Sequence, residues 1–162
     1  MEQGHEAQGR MNCDMMRHHY QMLGLNLAIS LVVMYVAMFA MIWSWGEFIQ
    51  NINFFYMALV MWAPMAVVML LTMKSMYRNA RLNAVLYAGF ALLFILSFAG
   101  IRAQSLVGDK QFLRSMIPHH SGAVLMCSKA QVSDPEIKQL CGNIIRSQTE
   151  EIDQMKAMMK RL

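Results

Sequence analysis

The sequence predicts an all-α membrane protein, with three transmembrane helices followed by an extramembrane helical hairpin. Three observations predict it. Hydrophobic residues make up 57% of the 162 residues and charged residues only 15%, whereas a typical globular chain carries roughly 25% charged residues. Three uncharged runs are each long enough to cross a bilayer. The remaining C-terminal segment is polar, with apolar residues at helical spacing. This composition excludes a disordered chain, which lacks apolar residues, and three cysteines are too few for a disulfide scaffold. The net charge of +4 is spread without a basic block, so membrane lipid is an expected partner and nucleic acid is not. Nineteen methionines, more than the glycines, prolines and cysteines together, need an explanation.

The spans come first. No Asp, Glu, Lys or Arg occurs between Arg17 and Glu47, and the apolar stretch covers about residues 22–45. Residues 48–73 and 82–101 are likewise free of formal charge. A helix needs roughly 20 apolar residues to cross the hydrocarbon, and lipid satisfies no open backbone. Spans are therefore expected at about 22–45, 50–73 and 82–101, with Pro64 kinking the second. The first run is too long for a signal peptide and ends in Trp43-Ser44-Trp45, which reads as an interfacial belt on a retained anchor.

Orientation follows from the loops. Lys74, Arg78 and Arg81 lie between spans two and three, while the loop between spans one and two carries only Glu47. The positive-inside rule places residues 74–81 in the cytoplasm. The N-terminal segment, residues 1–21, is then cytoplasmic. Residues 102–162 lie outside, in the periplasm of a Gram-negative cell, and the chain is expected in the inner membrane.

Residues 102–162, with nine basic and six acidic residues, read as two helices. The first runs from Asp109, as N-cap, to about Gln131, with Pro118 inside it. The second restarts at Ser133-Asp134-Pro135-Glu136, where Ser133 and Glu136 have capping-box spacing. Phe112, Met116, His119 or His120, Ala123, Met126 and Cys127 are the expected inward face of the first helix. In the second they are Ile137, Cys141, Ile144 or Ile145, Gln148, Ile152, Met155 and Met159. An antiparallel fold about residues 133–135 sets His120 opposite Gln148, Met116 opposite the turn from Glu151 to Met155, and Cys127 opposite Cys141. Two helices do not enclose a core, so two hairpins are expected to pair into a four-helix bundle, giving a C₂ homodimer.

Met116-Ile117-Pro118-His119-His120-Ser121-Gly122-Ala123-Val124-Leu125-Met126 and Gln148-Thr149-Glu150-Glu151-Ile152-Asp153-Gln154-Met155 together resemble the methionine–histidine signature of the DUF305 family (domain of unknown function 305). The resemblance covers Asp109 to Leu162 and extends more loosely to the spans, because a subgroup of the family has such a membrane half. It implies a ferritin-like helical fold and an association with copper and silver resistance. The chemistry of the residues agrees. Thioether sulfur is soft and suits Cu(I), and imidazole suits several transition metals. A thioether also has no proton to lose and forms no disulfide, so it keeps working in an oxidising compartment. Met116, His119, His120 and Met155 are the expected ligands for Cu(I) or Ag(I). Glu151 or Gln148 would fix a histidine tautomer from behind. Met126, Met158 and Met159 are further sulfurs, for each of which core packing is the plainer reading. Adjacent histidines cannot both face one core, so one of the pair belongs at the surface or behind a ligand. Cys127 and Cys141 could form a disulfide, bind a soft metal or pack as small hydrophobes; outside the cytoplasm a bridge is the leading reading.

Two features lie elsewhere. Met15-x-x-His18-His19 repeats the spacing of Met116-x-x-His119-His120, with Cys13 and Met22 nearby. It could be a second metal site, although coincidence in a methionine-rich chain explains it more simply. Met57, Met61, Met65, Met69 and Met73 recur every four residues, and Met34, Met38 and Met41 share a face of span one. They could form a metal conduit, but ordinary packing is the simpler account, since no charge marks a pathway.

The expected function is therefore an inner-membrane-anchored protein, not an enzyme, that binds Cu(I) or Ag(I) on the periplasmic side for resistance or handover. Metal-efflux or chaperone proteins would be its partners. The alternatives are a membrane metal transporter and a structural or regulatory membrane partner. A di-iron oxidase would need paired Glu-x-x-His motifs, and the only such spacing is Glu2-Gln3-Gly4-His5.

Overall fold

The computed structural model describes residues 2–162, with side chains from Met15 onward. Cys13, Glu2 and His5 thus lie outside the described side chains. The described residues form five α-helices: α1 (Glu2–Ala37), α2 (Ile52–Thr72), α3 (Ala80–Ala103), α4 (Asp109–Lys129) and α5 (Pro135–Arg161). A short 3₁₀ helix, Trp45–Glu47, lies between α1 and α2. Within these helices Met15–Ala37, Ile52–Thr72 and Ala80–Ala103 are long and apolar enough to cross a membrane. The chain is a helical membrane protein.

Two boundaries differ from the sequence reading. The N-terminal segment is not separate but continues without a break into the first span. That span also stops at Ala37 rather than near Trp45. There the amides of Met38, Phe39 and Ala40 bond three residues back, to Tyr35, Val36 and Ala37, which tightens the last turn. Phe39 is then buried, its ring 4.2 Å from that of Phe48 and 4.9 Å from that of Phe54. The two tryptophans lie in the loop beyond the helix, and Trp45 is 88% exposed.

The chain divides into two compact units. One comprises the chain up to Met34 together with Met57–Ala99; the other comprises Tyr35–Tyr56 and Gly100–Leu162. In the first unit, Leu23, Leu27, Ala63, Ala66, Leu70, Tyr77 and Phe90 form the core. Ala63 and Ala66 are fully buried, and such small side chains let membrane helices approach closely. The indole Nε1 of Trp62 donates to the Leu27 carbonyl at 2.8 Å and to Ser30 Oγ at 3.2 Å, tying α2 to α1. α2 runs through Pro64 without interruption. Leu25, Ile29, Val32, Val33, Leu92, Ile95 and Leu96 face outward, as lipid-covered side chains do.

In the second unit, α4 and α5 form an antiparallel hairpin around Leu113, Ile117, Val124, Ile152 and Met155. Gly100 lets α3 pass close to α2: a Cβ there would lie 3.2 Å from the Tyr56 ring. α3 ends in a turn where Gln104 adopts φ 49° and the Ser105 amide bonds back to Gly100 at 2.9 Å, satisfying its last carbonyls.

The caps correct two assignments. Gly108, not Asp109, is the N-cap of α4, and Asp109 is its first residue, an acid in the first turn. Asp134, not Ser133, caps α5, its Oδ1 accepting from the amides of Glu136 at 2.8 Å and Ile137 at 3.1 Å. Pro135 takes the first helical position, where its missing amide proton leaves no bond unmade, and the Asp134 carboxylate bonds the next two amides. The capping box occurs instead at Ser44 and Glu47.

Candidate metal-binding site in the helical hairpin

The hairpin face is rotated from its expected position. Leu113, Ile117, Ser121 and Val124 are buried, whereas Phe112 is 50% and Met126 54% exposed. On α5, Ile152 and Met155 are buried as expected, Ile145 and Met159 pack on the core, and Ile137 is 46% exposed. Phe112, Met126 and Ile137 are therefore outward residues of the hairpin. The reason is a second packing partner on the other side of α4: the loop that carries the 3₁₀ helix.

That loop brings a buried carboxylate. Glu47 is 6% exposed. Its Oε2 accepts from Ser121 Oγ at 2.5 Å and from the Ser44 amide at 3.2 Å, and its Oε1 accepts from Lys156 Nζ at 3.1 Å. Ser121 Oγ also accepts from the Trp43 amide at 2.6 Å. Asn51 adds a second polar junction: its Oδ1 accepts from the Phe54 amide at 2.8 Å and from Ser115 Oγ at 3.4 Å. The Ile52 amide donates to Gln111 Oε1 at 3.4 Å. Lys129 Nζ lies 5.6 Å from the Trp43 ring, a cation–π distance. Sequence reasoning missed Glu47, Ser121 and Lys156 as partners. The available signal was the Ser44-x-x-Glu47 capping spacing around the loop's only charge.

The candidate ligands occupy adjacent turns on the hairpin. Met116 packs on the core that contains Met155, one turn before His120 on α4. His120 is only 12% exposed at its side chain, and its Nδ1 lies 3.0 Å from Glu151 Oε2. The oxygen is out of line with the N–H direction, so the contact is electrostatic and Nδ1 has no hydrogen-bond partner among the described residues. His120 thus meets Glu151 rather than Gln148, a slip of about one turn. His119 points outward, its ring 6.1 Å from that of His120. Burial pushes the His120 imidazole below its ordinary value of 6.5; the Glu151 carboxylate opposes this and His119 adds to it. The ring therefore stays neutral at neutral pH, the form that ligates metals.

Cys127 and Cys141 are free thiols, not a disulfide. A hydrogen bond with Cys141, then burial, pushes the Cys127 thiol up. Cys127 lies two turns beyond His120 on α4 and Cys141 lies on α5, apart from the Met116–Met155 level. Met126 and Met158 are exposed, and Met159 packs on the hairpin core. Among the described residues no three His, Cys, Asp or Glu converge.

Comparison with known proteins bears on this segment. The family model Domain of unknown function (DUF305) matches residues 97–159, which hold α4, α5 and the turn before them. The chain is also 36% identical over 118 residues, 72% of its length and 76% of the relative's, to an uncharacterized protein of Acanthamoeba polyphaga mimivirus. The chain belongs to the DUF305 family. The methionine–histidine and Glu151–Met155 segments both fall inside the DUF305 match. No solved structure matches the chain.

Proposed function

We propose that this DUF305 protein is a membrane-anchored binder that captures Cu(I) or Ag(I) at its hairpin, for metal resistance or handover to efflux or chaperone proteins. The observation that carries this reading is His120. It is a largely buried imidazole whose Nδ1 faces the Glu151 carboxylate, with Met116 and Met155 on the neighbouring turns. With Nδ1 turned towards that carboxylate, Nε2 is left as the ligating nitrogen. Soft sulfur beside it selects a monovalent d¹⁰ ion. His119 and Met126, both exposed, and the Cys127–Cys141 pair are peripheral to this set. Positive charge at Lys74, Arg78 and Arg81 supports a cytoplasmic α2–α3 loop and a hairpin on the far, periplasmic side of an inner membrane.

The conduit reading draws less support. Met57, Met61 and Met73 are exposed while Met65 and Met69 pack into the first unit's core, so the series winds around α2 without lining one path. A homodimer remains part of the proposal: Phe112 and Met126 on α4 and Ile137 and Leu140 on α5 stay exposed, and a second hairpin would cover them in a four-helix bundle.

The test is a Cu(I) titration of the full-length chain in nanodiscs against a chromogenic chelator. Submicromolar binding that weakens at least about tenfold, roughly 1.4 kcal/mol, in Met116→Leu/His120→Ala supports the proposal. Binding whose affinity and stoichiometry the double substitution both leave unchanged overturns it. Light scattering of the same sample reads the oligomeric state, and Phe112→Asp should shift a dimer to monomer.

A further inference from the structure

A cleft of about 460 Å³ opens in the first unit, where α1 enters its span and the chain turns after α2. It is lined by Met15, Met16 and His19 of α1 and by Ser75, Met76 and Arg78 of the α2–α3 loop. Its walls are set by Tyr20, whose hydroxyl donates to Asn83 Oδ1 at 2.8 Å and accepts from the Asn79 amide at 3.2 Å. The Tyr20 and Tyr77 rings lie 5.4 Å apart. This latch holds α1 at one height and rotation against the loop, which turns the preceding residue, His19, into the cleft. His18 is exposed and does not line it.

His19 Nδ1 is buried and has no hydrogen-bond partner among the described residues. Buried polar atoms are normally paired, so an unpaired nitrogen on a residue that lines the cleft calls for a partner. The other donors on the wall are chiefly three thioethers. Soft, neutral sulfur and imidazole donors select Cu(I) and Ag(I) over hard divalent ions, and among the described residues no carboxylate lines the cleft to hold Mg²⁺ or Ca²⁺. Among the described lining residues Arg78 carries the formal charge. Its Nε donates to the Ser75 carbonyl at 3.2 Å, which ties the guanidinium to the loop backbone. A monovalent ion on neutral ligands meets less repulsion from it than a divalent ion would.

We propose that this cleft is a second soft-metal site, taking Cu(I) or Ag(I) on the Met76 thioether, the His19 imidazole and one or both of Met15 and Met16. It stands on its own residues and does not depend on the hairpin site. The sequence repeat at Met15-x-x-His18-His19 is half of it; the decisive sulfur, Met76, comes from another element.

The test uses the full-length chain in nanodiscs, with the hairpin site disabled by Met116→Leu, His120→Ala and Met155→Leu. Ag(I) is added, bound silver is counted, and sulfoxidation of each methionine by peroxide is followed by mass spectrometry. Silver retained by this chain, with Met76 protected from oxidation, is the expected result. Adding Met76→Leu and His19→Asn should abolish both retention and the protection of Met15 and Met16. The proposal fails if the hairpin-disabled chain keeps no silver, or if retained silver leaves Met76 as reactive as before. The protection readout needs no change in the cleft itself, so it holds even where the cleft variants misfold. Silver binding by the cleft variant with an intact hairpin reports on the hairpin site alone.

Discussion

Glu47 joins parts of the chain that are far apart in sequence: its partners Ser121 and Lys156 lie 74 and 109 residues away. A buried carboxylate is stable only when its oxygens are paired, and here both are. Lys156→Met removes the cation while Ser121 and Ser44 still donate. We expect a loss of about 1–3 kcal/mol, with Lys156→Met/Glu47→Gln recovering part of it, because the second change removes the stranded charge. Thermal unfolding in detergent reads this; equal midpoints for the wild type and Lys156→Met would discount the network. His120 carries a pH dependence. Its folded value is below 6.5, so the unfolded chain binds a proton where the folded chain does not. Its stabilising contribution is complete above pH 6.5 and is lost as pH falls from there through the lowered value. Glu151→Gln removes the influence that raises the value, so the His120 NMR titration should move further down. A titration that moves up, or does not move, would show that burial and Glu151 do not govern the group. At this scale the sequence marked His120 and Glu151, which sit in short motifs. It could not give Glu47 its distant partners Ser121 and Lys156, which no local spacing reveals.

The helices themselves were the most legible elements. Charge-free runs located the spans, because lipid tolerates neither charge nor open backbone. Their ends were less so. Residues 38–45 are as apolar as the span before them, and only the Phe39–Phe48–Phe54 cluster turns the chain out of the helix at Ala37. The α4 face was misread because its period fits two faces: Phe112 and Met126 lie one step round from Leu113, Ile117 and Val124. The loop on Ser121 decides between them. The cap of α5 gives a prediction here. Asp134→Ala removes both side-chain bonds to the first turn and should cost about 1 kcal/mol, measured as a lower unfolding midpoint. Asp134→Ser should restore most of it, and an Asp134→Ala midpoint equal to wild type would mean that α5 is held by packing alone.

For the whole molecule, the loop after α1 and the hairpin belong to one compact unit, so with three spans we expect them on the same side of the membrane. Reporter fusions placed at Gly46 and after Leu162 should report the same compartment, and one at Ser75 the other. Opposite readings from Gly46 and Leu162 would break the assignment of three spans. The same unit explains why the hairpin should not be cut free: without residues 35–56, Lys156 and Ser121 lose Glu47, and Ser115 loses Asn51.

Composition and periodicity by themselves determined the helical class and the three spans, because these depend on runs of like residues and on local spacing, while the resemblance of two short motifs pointed to the family. Only the tertiary structure decided which histidine of each adjacent pair turns inward. It also decided that Cys127 and Cys141 are free thiols in contact and that Met76 joins Met15, Met16 and His19. Those outcomes depend on how far a helix is rotated against a segment remote in sequence, and that rotation is set by long-range contacts such as Tyr20 with Asn83 and Ser121 with Glu47.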